Sequence, residues 1–584
     1  MLQRTTKMRI AIYALYAPGG KLREHVVCYV RGLLEVAAEV WVVVNGGLDA
    51  AGKAALVQLG VHVLERENSG YDFAAWRDAL ASMDAGQLAA VDELLLCNCS
   101  CYGPIYPFSE VFEHMAGREA DMWGMFRHAA LEGYFPSHLQ SYFLVFRKPV
   151  LQSAAWAEYW RQLVPAADWN AAVQQEVHFT EYFEQRGFKM ASYVEADKYD
   201  HLLHNPTVPL PVPLLRYDRF PLLKRKAFTE TEVDFRTIGN ASQAREALDE
   251  VRDAGFFPVC AIYEDLLASL PASRLKQAMQ LVFTVPDCAS RRAETADFAV
   301  AVFSERAAYV AELAWYLQML PKGIEICVFT EDAEVYQAWQ NAGVPALQIR
   351  LVDEEQMKAG ASGLLCRELA EKHDWLCVLR DAHVSVKEHP AVCYSLLHQC
   401  WQCMLGTGIG YAEYVGELLQ KNPVIGLILP CVPQFASKYL EVIKKEWEHK
   451  KARAREVLNA ACVHVPFDET PDFCYGGMFW VRSEVLRKFL YENEAGAKAL
   501  LHQGKCMSLF EYMLPMLAQA LGYTTCLMMP ERVNAAVHHM SQWHESRMSD
   551  VLQGCGEKTV RTPMVLGVVK SWLRRKFRKK AKSR

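Results

Sequence analysis

Short unbroken apolar runs, each followed by a stretch of helical spacing, constrain this chain more than any other feature of its sequence. Arg9–Leu15, Val40–Val44, Val61–Leu64 and Val91–Cys97 read as strands, with helices over Leu22–Ala37 and Ala50–Leu59 between them. A strand that is apolar at nearly every position is covered on both faces. Such strands alternating with helices predict an α/β protein with a mainly parallel sheet. The same order returns in Phe298–Phe303, Glu325–Phe329, Ala346–Leu351 and Trp375–Leu379, with helices expected over Ala333–Ala342 and Gly363–Lys372.

Further signals follow each series. Arg147 stands three residues before Val150-Leu151, and Arg482 three before Val485-Leu486. Glu176 stands eleven before Gly187-Phe188, and Glu511 eleven before Gly522-Tyr523. The same signals in the same order, in two copies of one strand–helix series, predict two related α/β domains. We expect them at 1–228 and 295–548, joined by a helical segment at 229–294 and followed by a basic amphipathic tail at 549–584. In the joining segment, Ala241–Ala254 and Asp265–Leu281 have helical patterns, and the Pro-rich Asn205–Pro213 before it is expected to wrap in extended form.

Charge and cysteine usage exclude several classes. The formal net charge of the 584 residues is −5, but nine Lys/Arg and no acid lie between Lys570 and Arg584, so the body is more acidic than the net. That is one cationic handle on an acidic body, not a nucleic-acid-binding face. No run approaches the ~20 apolar residues of a membrane-spanning helix, and Met1–Ile10 lacks the apolar stretch of a signal peptide. The 18 cysteines form no compact framework and read as reduced thiols, so a cytoplasmic location is expected. The tail interleaves Leu566, Trp572, Leu573 and Phe577 with its cations. It suits either an interfacial helix on anionic lipid, placing the protein peripherally at the inner face of the cell membrane, or a disordered cationic tail.

Ligands of open parallel sheets bind beyond the carboxyl ends of the strands, where the strand order reverses. The segments Tyr16–Gly20, Asn45–Gly47, Asn68–Asp72 and Asn98–Gly103 should converge there. Asn68, Gly70 and Asp72 offer acceptors and a tight turn for a ribose or base edge, although Asp72 also reads as a helix N-cap. Asn98 and Ser100 can hydrogen-bond a sugar. They stand where nucleotide-sugar transferases carry an Asp-x-Asp pair for Mg²⁺ or Mn²⁺, and without carboxylates they make a poor divalent site. Cys97, Cys99 and Cys101 share a strand face and read as buried hydrophobes, and the lone pair Cys400 and Cys403 lacks a zinc partner set. Asp381 and His383 form an Asp-x-His candidate for a divalent metal, with a solvated loop as the alternative. Glu176 and Glu511 are candidate bases for an acceptor hydroxyl, with a plain surface-helix Glu as the alternative. Tyr16–Gly20 lacks the spacing of a dinucleotide fingerprint, which disfavours a dehydrogenase.

Six segments together resemble one family. Asn68–Leu80 resembles an Asn-x-Gly-x-Asp signature that runs into Ala-Trp-Arg-x-x-Leu, and Leu96–Pro104 a Leu-Asn-Asp-Ser-x-x-Gly-Pro signature. His138–Phe143, Pro221–Phe228, Asn422–Leu427 and Gly477–Trp480 match in order. The family is rhamnan synthesis protein F, which builds rhamnose-containing polysaccharide and lipopolysaccharide O-chains. The resemblance implies two tandem GT-A-like, Rossmann-related domains. It also implies a glycosyltransferase that uses an activated sugar, dTDP-rhamnose, as nucleotide-sugar donor and a glycan or lipid-linked glycan as acceptor. On that reading Asn68, Gly70, Asp72, Asn98 and Ser100 hold the donor and Gln140 lies near the sugar. Glu176 is the base of the first domain, and Asp381, His383 and Glu511 play metal and base roles in the second. Two departures stand out. Cys99 replaces the family's Asp, and a segment that often reads Leu-His-x-Lys-x-Ser appears as Leu379–Ser385. They leave a catalytically degenerate glycan-binding or scaffold protein as the rival reading.

Overall fold

A computed structural model describes residues 7–554, apart from 131–132, 134, 196, 201–205, 230–242, 287–295, 358–361, 382–388, 409, 434, 493–496, 498–499 and 501–507. The chain divides into two compact units, Met1–Leu266 and Leu267–Arg584.

In the first unit, β1 (Arg9–Tyr16), β2 (Glu39–Asn45), β3 (His62–Arg66) and β4 (Glu93–Asn98) are parallel. The short β5 (Cys101–Tyr102), β6 (Met122–His128), β7 (His138–Leu139), β8 (Phe143–Arg147) and β9 (Met190–Val194) follow, and β10 (Leu223–Lys224) pairs back antiparallel on β5. The large sheet runs β3-β2-β1-β4-β8-β6-β7, with β9 on β6. The chain builds outward from β1 to β3 and then returns to lay β4 on the other side of β1. The switch point therefore lies between β1 and β4, where Ala14 is in register with Asn98.

Alternate residues of these strands enter different cores, which is why the runs are apolar throughout. Tyr13, Val42, Leu95 and Phe143 pack with Tyr29, Leu33, Phe108 and Trp123 on one face. Ile12, Val43, Leu96 and Leu144 pack with Phe73, Trp76, Phe179 and Phe183 on the other. The helix Tyr71–Ser82 presents Phe73, Trp76, Ala79 and Leu80 to the sheet, and the Trp76 indole N–H donates to the Cys97 carbonyl at 3.1 Å.

The second unit repeats this topology. Its strands are β11 (Val282–Val285), β12 (Phe298–Phe303), β13 (Glu325–Thr330), β14 (Leu347–Leu351), β15 (Trp375–Arg380), β16 (Ile425–Pro430), β17 (Phe479–Arg482) and β18 (Thr524–Pro530), in the order β11-β18-β16-β17-β15-β12-β13-β14. In both units the central strand, β4 or β15, meets an antiparallel neighbour, which meets a further antiparallel strand, which carries a parallel one. The fold is thus α/β with two mixed, mainly parallel sheets.

Two local expectations change. Asp265–Leu281 is not one helix: Pro271 caps a new helix, Ala272–Ala278, and Val282–Val285 then pairs with β18 at the sheet edge. The extended wrap does not form among the described residues: 206–209 are turn, with the Leu210 amide donating to the Pro206 carbonyl at 2.9 Å, and Pro211–Asp218 is a helix, for which a proline at the first helical position is pre-set. Among the described residues no helix is long and apolar enough to cross a membrane. The tail beyond Gly554 lies outside them.

Candidate active site

The crevice of the first unit is built at the β1/β4 switch point. Gly70 (φ +72°) is the N-cap of the helix Tyr71–Ser82, and an added Cβ would stand 2.6 Å from the Ala74 Cβ and 2.7 Å from the Pro165 Cβ. Both the left-handed backbone and the lack of space require glycine there. Arg66 holds the turn, donating to the Asn45 side chain at 2.5 Å and to the Ser69 carbonyl at 2.8 Å.

Asp72 is not a cap. Its Oδ2 accepts from the Asn98 side-chain amide at 2.7 Å, and the Asn98 Oδ1 in turn accepts from the Ser100 amide at 3.1 Å and hydroxyl at 2.7 Å. The end of β4 is thereby locked to the start of the helix. Lys224, which β10 places opposite Cys101, brings its ammonium to 3.5 Å from the Ser100 hydroxyl and 3.7 Å from the centre of the Tyr142 ring.

Glu176 enters from the helix Trp169–Glu184, and its Oε1 accepts from the Ser141 amide at 2.9 Å. Gln140 accepts from Thr207 at 3.3 Å. Asp72, Asn98, Ser100, Lys224 and Tyr142 are thus one connected cluster, which Glu176 reaches electrostatically. Gln140 borders it through the chain, while Asn68 lies exposed at the outer edge, its Cβ near Gly46.

Enclosure pushes the Asp72 carboxyl up to about 6. The Asn98 hydrogen bond opposes this, the Glu176 charge adds to it, and Lys224 opposes it. Burial pulls the Lys224 ammonium below its ordinary range, countered by Cys101, Glu176 and Asp72. Behind the cluster, Arg225 is tied to the buried Asp265 by two hydrogen bonds, of 2.9 and 3.0 Å, and Tyr102 donates to the same carboxylate at 2.7 Å. Tyr71, next to Asp72 in the chain, and Trp169 form an exposed aromatic pair with ring centres 6.3 Å apart, and Lys226 lies 4.9 Å from the Trp169 ring. Lys224, Tyr142 and Trp169 were not singled out from the sequence as site residues. The Lys-Arg-Lys run in Pro221–Phe228 was the signal that could have found the first of them.

The residues present do not suit a divalent cation. Strand β4 ends in the Asn98 amide and is followed by a thiol and a hydroxyl, one Asp72 oxygen is engaged by Asn98, and burial raises the Cys97, Cys99 and Cys101 thiols. No group of three or more His, Cys, Asp or Glu among the described residues could hold a metal ion.

The matching place in the second unit is filled differently. Arg380 closes β15 as Asn98 closes β4: Phe303 is in register with Arg380 as Ala14 is with Asn98. Its guanidinium donates to the Glu511 Oε1 at 3.1 Å, with both residues buried. The Glu511 Oε2 accepts from the Ser508 amide at 2.7 Å and hydroxyl at 2.9 Å, closing a capping box on the helix Leu509–Ala520. An added Cβ on Gly477 (φ +67°) would stand 2.8 Å from the Arg380 side chain, so this glycine makes room for the arginine. Asp381 accepts from the Ser304 hydroxyl at 2.5 Å and the Glu305 amide at 2.6 Å, and burial pushes its carboxyl up to about 6. Its expected partner His383 lies outside the described residues. The Cys403 thiol lies 3.6 Å from that of Cys431, and both are buried.

The model of the rhamnan synthesis protein F family matches residues 40–520. A curated protein of Sinorhizobium fredii, "Uncharacterized protein y4gN", is 27% identical over 186 residues, 31% of this chain and 48% of its own length. The chain thus spans about half the length of that relative. Among solved structures, 4-diphosphocytidyl-2C-methyl-D-erythritol synthase from Anaerococcus prevotii aligns with 14% identity and a TM-score of 0.23, over 32% of this chain and 87% of its own. Glucosyl-3-phosphoglycerate synthase from Mycobacterium tuberculosis, solved with Mn²⁺, uridine diphosphate and glucosyl-3-phosphoglycerate, aligns with 13% identity and a TM-score of 0.20, over 40% and 70%. With a family match over most of its length, the chain belongs to the rhamnan synthesis protein F family.

Proposed function

We propose that this protein is a glycosyltransferase of cell-surface polysaccharide synthesis, rhamnan or lipopolysaccharide O-chain, and that its first unit carries the reaction. The single observation behind this reading is the cluster at the β1/β4 switch point: Asp72, Asn98, Ser100 and Lys224 in contact, with Glu176 nearby on a separate helix. Family membership favours rhamnose, with dTDP-rhamnose as donor and a lipid-linked glycan as acceptor. Asp72, Asn98 and Ser100 hold the donor, the turn at Asn68–Gly70 borders its nucleoside, and Gln140 lies toward the sugar. Glu176 takes the proton of the acceptor hydroxyl, and the crevice contributes by aligning the two substrates.

In the second unit the carboxylates read from the sequence are engaged. Glu511 serves Arg380 and the helix cap, and Asp381 ties β15 to the end of β12. We therefore assign no base to that unit. The basic tail would dock the protein peripherally on the inner membrane face through anionic lipid.

The rival, a degenerate glycan-binding scaffold, is favoured by one observation, the filled place in the second unit. Calorimetric titration of the full chain with dTDP and dTDP-rhamnose, followed by a transfer assay on a lipid-linked glycan, separates the two. The enzyme reading expects one donor bound per chain, with dTDP released only when acceptor is present. Absence of donor binding would leave the scaffold.

A further inference from the structure

The transferase reading leaves one question open: what neutralises the leaving diphosphate when the strand-end carboxylates are missing. We propose that the Lys224 ammonium does so in place of a divalent cation, and that the first unit transfers its sugar without a metal. This rests on the donor site proposed above.

Three observations carry it. First, the end of β4 offers no carboxylate to a hard divalent ion, which wants several oxygens, and among the described residues no group of three or more His, Cys, Asp or Glu could hold one. Asn98 turns its amide nitrogen to Asp72 and spends its oxygen on Ser100, so the position that would bind metal is closed by hydrogen bonds inside the protein.

Second, of the three successive cations Lys224, Arg225 and Lys226, only Lys224 stands inside the cluster. Arg225 is committed to Asp265 and Lys226 lies over the exposed Trp169 ring. The contacts of the Lys224 ammonium are a hydroxyl at 3.5 Å and an aromatic face, weak partners that a phosphate oxygen can join or displace. Asp72 and Glu176 act on it through space.

Third, the strand that carries Lys224 is held in advance. Its backbone pairs with β5 in register with Cys101, and the Arg225 amide donates to the Ser100 carbonyl at 3.0 Å. A cation carried on a strand fixed before the donor arrives stabilises charge as it develops, with no reorganisation of the backbone at the moment of reaction.

In the step itself, the acceptor oxygen forms a bond to the anomeric carbon while the bond from that carbon to the phosphate oxygen breaks. The electron pair of that bond leaves on the diphosphate, and the acceptor hydroxyl proton passes to the Glu176 carboxylate. Lys224 gains most as negative charge builds on the leaving oxygen, so its contribution falls on kcat as well as on binding.

The test is calorimetry with dTDP on the full chain, once after EDTA treatment and once with added Mn²⁺, for the parent, Lys224→Gln and Lys224→Arg, together with transfer rates under the same conditions. The expected result is equal dTDP affinity in EDTA and in Mn²⁺. Lys224→Gln should weaken binding about 100-fold and lower the transfer rate by about 100- to 1,000-fold, while Lys224→Arg stays within about tenfold of the parent. Thermal melting identifies a variant that has failed to fold, and the EDTA comparison on the parent stands without any variant. Binding that EDTA removes and Mn²⁺ restores overturns the proposal and leaves the transferase reading intact. So does a folded Lys224→Gln with parental affinity and rate. If the parent binds no dTDP under either condition, the donor site itself is wrong and the proposal falls with it.

Discussion

Replacing Glu511 by Gln separates structural from catalytic use of the two glutamates that recur in the sequence. Glu511 is 3% and Arg380 7% exposed, and the carboxylate is shared between the guanidinium at 3.1 Å and the capping box. A glutamine keeps the shape and can still close the box, but it removes the negative charge beside a buried guanidinium. Breaking a buried pair costs 3–5 kcal/mol when a partner is lost outright. Because the amide oxygen still accepts a hydrogen bond, the loss should lie at the lower end, about 3 kcal/mol. At roughly 2–4 °C per kcal/mol for a unit of this size, the melting transition of the second unit should fall by about 6–12 °C. Scanning calorimetry of the full chain reads this, with the two units followed as separate transitions because a two-domain chain does not melt in one step. At a temperature below both transitions, sugar transfer should stay within about threefold of the parent. Glu176→Gln should do the opposite, with parental melting and transfer lowered about 100-fold, as expected for loss of a general base. A Glu511→Gln protein that melts like the parent but transfers nothing would refute the assignment and make the second unit the reacting one.

Gly70→Ala should lower stability by about 2 kcal/mol and weaken dTDP binding, because φ is +72° and the new methyl meets Ala74 and Pro165 at under 3 Å; denaturant melts and calorimetry check both. Asp72 has its pKa raised to about 6 from 3.8, so the folded state holds this proton more tightly than the unfolded chain. That advantage is complete below about pH 4 and is lost as pH rises through 6. Asp72→Asn, which cannot ionise, should therefore gain melting temperature relative to the parent across that window, and the gap should level off above about pH 7. A gap that does not change with pH would contradict the raised pKa. Removing residues 555–584 should abolish sedimentation with anionic phospholipid vesicles and leave dTDP affinity unchanged, and retained vesicle binding would place the membrane contact elsewhere.

Much of the architecture is legible because burial on two faces leaves a one-dimensional trace. Phe298–Phe303 and Trp375–Leu379 can be read as strands without any partner in view, since every residue must be apolar to fill both cores. The edge strand Val282–Val285 left no such trace. Val282 and Thr284 are exposed while Phe283 and Val285 are buried, and four residues of alternation after a helical pattern do not distinguish a strand from a helix end.

The sequence by itself determined that two copies of one α/β unit exist, which loops crowd the carboxyl ends of their strands, and that the strand-end carboxylates of the first copy are absent. Tertiary structure alone decided which polar groups are open to a ligand. Asp72 and Asn98 are 26 residues apart and meet only because β4 lies beside β1; Lys224 is 124 residues from Ser100 and reaches it only through the β10–β5 pairing. Glu176 and Glu511 look alike in the sequence. What separates them is the residue closing β4 in one unit and β15 in the other, Asn98 and Arg380, because a buried arginine draws its carboxylate into an ion pair and an amide does not.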